Sequence, residues 1–339
     1  MAAVYPIHHS RALLRAFGLL PVEIWGPPRR DTALGDVHLQ PYTCSIVRAG
    51  LSFLLAGGLD VADVVVVPHG CDSLQGLGSL LCDFLGAGKP VLPLYLPRGQ
   101  GASALSFLAD ELGAMSLSLR RHVGRSPTDG ELVAAIEREE LADEHLRRLH
   151  AERRWLRLSD LDFYRLVRSR EYLPAERFLA LAEEALGVRL ESPRQGVPVL
   201  LSGVLPEPMG ILDALAEAGG IVVADDLLCT GRRLYPRGTS PVPLRRMAES
   251  LLGGPPDSTR GSPVAARIAH LRALASTSGA KAALFLVVKF CEPEQFYVPL
   301  LRKALERDGL RCIEAEIDIG EPLSAGLGTR LEALLESAR

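Results

Sequence analysis

Short apolar runs alternate along the chain with longer stretches in which apolar residues recur every three or four positions. The first pattern predicts strands buried on both faces, and the second predicts amphipathic helices that cover them. In the first part of the chain the predicted strands are Val22–Gly26, Asp63–Pro68 and Pro90–Pro97, with helices over Ser45–Leu55 and Ser73–Leu85. "VVVVPHGCDSLQG", Val64 to Gly76, shows the punctuation most sharply: four β-branched residues run into a loop that carries His69 and Cys71. From 126 to 190 the texture changes. "SPTDGELVAAIEREELADEHLRRLHAERRW" opens on a turn and a helix-start signal and then runs without Gly or Pro, and "YLPAERFLALAEEAL" continues in that style. Strand patterns then return at Val197–Gly203, Gly219–Asp226, Ala283–Phe290 and Leu310–Asp318. The stretch "GGPPDSTRGS" at 253–262 is rich in breakers and is expected to be exposed.

These patterns predict an α/β protein with two Rossmann- or flavodoxin-like lobes, each with a parallel sheet. The expected division is an N-terminal lobe over 1–125, a helical connector over 126–196 and a C-terminal lobe over 197–339. The cleft between the lobes is the expected ligand site.

Composition narrows the function. A chain of 339 residues with 47% hydrophobic and 23% charged residues buries an ample core without disulfides. Its net charge is −3, aromatics are only 5%, and no basic stripe with interleaved aromatics occurs, which argues against nucleic acid as a partner. No apolar run approaches the roughly 18 residues of a membrane span, and the N-terminus lacks the pattern of a secretory signal. A cytoplasmic location is therefore expected, with the six cysteines kept as thiols.

Four of those cysteines fall where strands end or helices begin. Cys71 follows the valine run, Cys291 follows the strand ending at Phe290, and Cys229 lies three residues beyond Asp226. Cys44, in "QPYTCSIVRAG", stands at a loop-to-helix junction, where helix amides lower a thiol pKa. Cys82 in the apolar helix "SLLCDFL" and Cys312 in an alternating strand read as small buried hydrophobes. No C-x-x-C pair exists, which disfavours thioredoxin chemistry, zinc ribbons and ferredoxin runs. Widely spaced thiolates suit an iron–sulfur cluster, with unlinked core cysteines as the competing reading.

At these residues the sequence resembles the 2-hydroxyacyl-CoA dehydratase D-component family, which also holds the benzoyl-CoA reductase cluster subunits and the double-cubane cluster proteins. The resemblance rests on "LRAFGLLPVEIWG", "PYTCSIVRAGL", "DVVVVPHGCDSLQ", "LLSGVLPEP", "GGIVVADDLLCTGRR", "VVKFCEPEQFYVPLLRKALERDGL" and "GLGTRLEALLE", in that order from about residue 10 to the end. It implies a 4Fe–4S cluster in the interlobe cleft, held by Cys44, Cys71 and Cys291, with Cys229 as a further ligand or a neighbour. It also implies removal of water from a 2-hydroxyacyl-CoA through a ketyl radical, a homologous subunit in a homo- or heterodimer, and a separate ATP-hydrolysing iron–sulfur activator. Alternatives within the family are a benzoyl-CoA-reductase-like enzyme and a double-cubane (Fe8S9) reductase of small molecules, the latter recruiting Cys229 with Cys82 or Cys312. A non-catalytic, cluster-bearing partner subunit is a third. The family usually carries a longer N-terminal segment, so a substrate-entry or dimer-contact element is expected to be missing or supplied by a partner.

The nearest approach to a Walker A loop is "LGAGKPV", with Pro90 where Ser or Thr belongs, and Gly86–Pro90 reads as a helix-to-strand turn. Several further residues carry two readings. His69 either hydrogen-bonds a cluster sulfide or moves a proton, or it caps its turn. Arg48 either pairs with cluster or CoA-phosphate charge or forms a surface salt bridge. Asp225 and Asp226 either polarise a ligand or orient a backbone, or they form a solvated strand-end pair, and His8 and His9 are expected as disordered or solvent-facing.

Overall fold

The computed structural model describes residues 1–27, 31–86 and 88–339. The chain divides into two compact units. The first comprises Met1–Glu144, Ser169–Leu179 and Leu234–Gly254; the second comprises His145–Arg168, Ala180–Arg233 and Pro255–Arg339.

The first unit is built on four parallel strands, β1 (Ala2–Val4), β2 (Pro21–Glu23), β3 (Val64–His69) and β4 (Val91–Tyr95), in the order β2-β1-β3-β4. Val64 to Val67 are all fully buried, because both faces of the sheet are covered, and this explains the unbroken apolar run. Each such side chain contributes roughly 1.5–3 kcal/mol by burial, so the strand is a rigid base for the loop that follows it. The helices of this part of the chain are α1 (Arg11–Ala16), α2 (Ala33–Asp36), α3 (Ser45–Leu55), α4 (Asp72–Ser79) and α5 (Ala102–Val123). A π-helical turn, Leu80–Leu85, extends α4. The stretch 126–196 is mostly helical, as α6 (Asp129–Glu152), α7 (Asp160–Arg168) and α8 (Ala175–Gly187), and its residues are shared between the two units.

The second unit repeats the plan. Strands β5 (Val197–Gly203), β6 (Gly220–Leu227), β7 (Ala282–Val288) and β8 (Arg311–Ile317) are parallel, in the order β6-β5-β7-β8. The remaining helices are α9 (Gly210–Glu217), α10 (Pro243–Leu252), α11 (Val264–Ser278), α12 (Glu292–Arg307) and α13 (Leu327–Ser337). Of these, α10 belongs to the first unit, where Met247 and Leu251 join Leu108, Leu112 and Met115 of α5 in one core. The core of the second unit gathers Leu200, Phe285 and Val287 with Leu271 of α11 and Val298, Leu301 and Leu305 of α12.

The expected fold class is therefore observed: two parallel α/β sheets with the same strand order. In each, the first strand is flanked by the second and the third. Ligands of open parallel sheets bind where the connections from neighbouring strands diverge, which here is beyond β1 and β3 in one unit and β5 and β7 in the other. At that point in the second unit Gly203 ends β5 with φ of 133°, and a Cβ there would lie 2.0 Å from the Leu286 carbonyl oxygen.

Four expectations need correction. His8 and His9 are not solvent-facing: they are 1% and 4% exposed, in the loop after β1, a strand that the pattern of apolar residues did not announce. The 253–262 loop is not exposed, since Asp257, Ser258, Thr259, Arg260 and Ser262 are all buried. Asp225 and Asp226 are buried and hydrogen-bonded within the second unit. Cys82 is exposed on the π-helical turn, and Cys312 is half-buried. The Gly86–Pro90 turn includes Ala87, which lies outside the described residues; Gly86 and Gly88 on either side have positive φ.

Candidate functional site

Cys44, Cys71 and Cys291 share a local setting: each is the N-cap of a helix, of α3, α4 and α12 respectively. A helix N-terminus presents backbone N–H groups and the positive end of the helix dipole, which stabilise a thiolate. Cys71 and Cys291 also match in topology, because each follows the third strand of its sheet and opens the next helix.

In the first unit two thiols are neighbours. Burial, and next the proximity of Cys44, push the Cys71 thiol up to about 12, while the amides of Leu74 and Ser73 pull the other way. Two neighbouring thiols resist ionising together without a cation, and a metal centre inverts that balance by favouring both thiolates. The placement of Cys44 comes from α3, which Tyr5 anchors: its hydroxyl donates to the Gly50 carbonyl at 2.9 Å, and a Cβ at Gly50 would lie 2.7 Å from the ring. Arg48, one turn on, forks onto Asp36 at 2.6 and 2.8 Å and reaches Thr32, so it serves an ion pair at the unit's surface. His69 turns to α4 and β4. Its ring meets Tyr95 edge-on at 4.4 Å between centroids, and a Cβ at Gly78 would lie 2.4 Å from its Nε2. Both ring nitrogens are buried without a hydrogen bond, so His69 does not cap the turn.

In the second unit Cys291 sits on a tight connection. Its N–H bonds to the Val288 carbonyl at 2.8 Å, and Phe290 before it has φ of 62°. Among the described residues the non-glycine positions with positive φ are Ile7, His8 and Phe290, all just beyond the carboxyl ends of β1 and β7. Such conformations cost roughly 1–3 kcal/mol each and persist where the surroundings over-determine them, commonly at functional sites.

Cys229 is buried at 3% exposure in the turn after β6, with its N–H on the Val204 carbonyl at 3.0 Å. Cys312 is the second residue of β8, so it lies at the amino end of the sheet, away from the strand ends that carry Cys229 and Cys291. Cys82 stands eleven positions after Cys71 along a helical path, about 16 Å at 1.5 Å per residue.

Residues that the motifs did not single out surround these turns. Arg232, fully buried, holds Glu294 of α12 in a two-pronged bond at 2.7 and 2.9 Å and reaches Asp226 at 3.3 Å. Arg267 of α11 bonds Asp226 at 2.6 Å. The sequence signal was there in "CTGRR" and "CEPE", charged residues at fixed distances from a cysteine, but nothing local pairs the two. Among the described residues no three His, Cys, Asp or Glu side chains converge as ligands of one metal ion. Cluster ligands bind separate irons, and the donor set suits them: soft sulfur at helix N-termini, in a chain whose cysteines form no disulfide among the described residues.

Two parallel sheets of one strand order, with matched cysteines beyond their third strands, define a two-lobed α/β protein with thiol-bearing strand ends. The family model of the 2-hydroxyglutaryl-CoA dehydratase D-component matches residues 6–338, and the chain belongs to that family. It is similar to lactoyl-CoA dehydratase subunit beta of Anaerotignum propionicum, 23% identical over 342 residues, covering 98% of this chain and 90% of that protein. It is similar also to the (R)-phenyllactyl-CoA dehydratase beta subunit of Clostridium sporogenes, 24% identical over 327 residues, with 93% and 85% covered. The beta subunit of (R)-2-hydroxyglutaryl-CoA dehydratase of Acidaminococcus fermentans is 24% identical over 356 residues, with 98% and 90% covered. No helix among the described residues is long and apolar enough to cross a membrane.

Proposed function

We propose that this chain is the cluster-bearing subunit of a 2-hydroxyacyl-CoA dehydratase, acting with a homologous subunit and a separate ATP-hydrolysing iron–sulfur activator. The observation that carries the proposal is the matched placement of Cys71 and Cys291, each opening the helix after the third strand of a sheet in a chain of this family. Cys44, Cys71 and Cys291 would hold a 4Fe–4S cluster. When bound, such a cluster supplies a strongly reducing electron and, at an iron without a protein ligand, a Lewis acid for the thioester carbonyl.

The chain's own residues have a narrower task. The N-terminal amides of α3, α4 and α12 favour the ionised thiols, and the fully buried valines of β3 and the buried β7 keep the strand ends fixed. Tyr5 sets α3, and with it Cys44. A double-cubane reductase needs additional thiolates, and Cys82 and Cys312 are poorly placed to provide them. The three relatives are all named as beta subunits, which supports a role within a larger enzyme over an isolated one.

The test is turnover. The chain, purified without oxygen with its co-expressed partner subunit, is combined with the activator, ATP and a panel of (R)-2-hydroxyacyl-CoA thioesters, and 2-enoyl-CoA is followed by mass spectrometry. The proposal predicts loss of water from at least one thioester, dependent on ATP. Reduction of an acyl-CoA or a small molecule without any dehydration would overturn it.

A further inference from the structure

The "CTGRR" motif and the buried loop at 253–262 converge on the helix that Cys291 opens. Glu294 is three residues into that turn, and its own N–H bonds to the Cys291 carbonyl at 3.1 Å, as does that of Gln295 at 3.0 Å. A glutamate at this helix position commonly folds back to cap the N-terminus. Here its carboxylate instead points into the protein, fully buried. Arg232 grips both oxygens, Ser258 donates to one of them, and Arg267 Nη1 lies 3.7 Å from the same oxygen. Arg232 is itself tied to Asp226 at the end of β6 and lies 3.5 Å from Asp257. Asp257 accepts from the backbone and hydroxyl of Thr259, which shapes the loop before α11. The carboxyl end of β6, the 255–262 loop, α11 and the first turn of α12 are thus locked to one another, with Glu294 as the carboxylate that α12 contributes to the network.

We propose that Glu294, clamped by Arg232, is a positioning residue for Cys291. It pins the first turn of α12 against β6 and α11, and so fixes where the N-cap thiol stands at the end of β7. The left-handed Phe290 immediately before Cys291 makes this anchoring necessary, because a strained connection relaxes when its far side is released. The inference rests on the reading of Cys291 as a cluster ligand. A point charge alone does not satisfy the clamp: the forked contact requires a planar guanidinium opposite a carboxylate.

The test compares wild type with Glu294→Gln, using the full chain with its partner subunit under anaerobic conditions. Three readouts are taken: iron affinity in competition with a chelator, the electron paramagnetic resonance line shape of the reduced protein, and the iodoacetamide labelling rates of Cys291 and Cys71 in the iron-free protein. The expected result is a loss of about 10–100-fold in iron affinity, as for other residues that orient metal ligands, with an altered line shape. Cys291 labelling changes several-fold while Cys71 labelling does not. Should Glu294→Gln fail to fold, the double variant Arg232→Met with Glu294→Met removes both charges together and keeps the volume; the same changes are expected. Unchanged Cys291 labelling in a folded variant overturns the proposal, even if its melting temperature falls. Iron absent from wild type would overturn the ligand reading instead, and unequal Cys291 labelling in that case would still support the anchoring.

Discussion

Tyr164 of α7 donates its hydroxyl hydrogen to Asp225 of β6 at 2.9 Å, and both side chains are buried. The same carboxylate takes Arg153 at 3.0 Å, Thr230 at 2.7 Å and the Gly231 amide at 2.9 Å. Arg153 is sandwiched further by the Phe163 ring, 4.1 Å from its guanidinium carbon. Asp225 thus closes the turn that leads to Cys229 and Arg232, and it joins α7 to the sheet. Asp225→Ala leaves the buried Arg153 without its nearest counter-charge, and the expected cost is about 3–5 kcal/mol in urea unfolding. Tyr164→Phe removes one bond to a charged acceptor and is expected to cost about 1.5–3 kcal/mol. A loss below 1 kcal/mol for Asp225→Ala, on the order of an exposed pair, would show that the network does not hold the unit together.

A pH dependence follows from His150, whose Nδ1 lies 3.4 Å from Asp225. Burial lowers its pKa from 6.5 to about 4, with Asp225 opposing and Arg153 assisting. The unfolded chain therefore takes up this proton first, and stability falls as pH drops from 6.5 toward 4. Glu294 acts lower down. Burial would raise its pKa, but Arg232 and Arg267 outweigh that and bring it from 4.5 to about 2, so its contribution is complete above 4.5 and is lost toward 2. Urea midpoints measured from pH 8 to 3 are expected to decline in both windows. His150→Gln should flatten the upper window and leave the lower one; an unchanged upper slope would count against the neutral buried imidazole.

The position of His69 gives a packing prediction. Gly78→Ala places a methyl group against His69 Nε2, and overpacking of this kind costs about 1–3 kcal/mol. His69→Ser in the same chain makes room and should recover much of that loss. If Gly78→Ala is neutral on its own, His69 does not rest on α4.

Arg48 carried two readings, a partner of cluster or phosphate charge and a surface salt bridge, and it forks onto Asp36. Hydrogen bonds from Arg48 hold the Asp36 carboxyl below its ordinary range. Both side chains are partly exposed, so Arg48→Gln is expected to cost about 0.2–1 kcal/mol and to leave iron content unchanged. Loss of iron on this substitution would return Arg48 to the site.

Seven of the eight strands among the described residues were legible, because Val64–Val67 and Ala282–Val288 are apolar without interruption and breakers stand at their ends. β1 was not legible: "AAV" is three residues long, two of them alanine, and only its pairing with Val64–Val66 and Pro21–Glu23 makes it a strand. The burial of Asp257 and Ser258 escaped for a related reason. Gly, Pro and Ser mark a breaker-rich loop, but whether such a loop is buried depends on a partner such as Arg232, 25 positions away in sequence from Asp257 (257 minus 232). Local composition carries no trace of that partner. The positions of Cys71 and Cys291 at strand ends could be read directly, because each follows the last β-branched or aromatic residues of its run by a few places. Their equivalence could not, since it appears only once the two sheets share one strand order.

The most direct test of the proposed cluster is the iron and acid-labile sulfide content of chains purified without oxygen. Wild type, Cys44→Ser, Cys71→Ser, Cys291→Ser and Cys82→Ser are compared. About four irons per chain are expected in wild type, as for a single 4Fe–4S centre, with most of the iron lost from the first three variants and retained in Cys82→Ser. Equal iron in Cys71→Ser and Cys82→Ser, or none in wild type, would contradict the assignment.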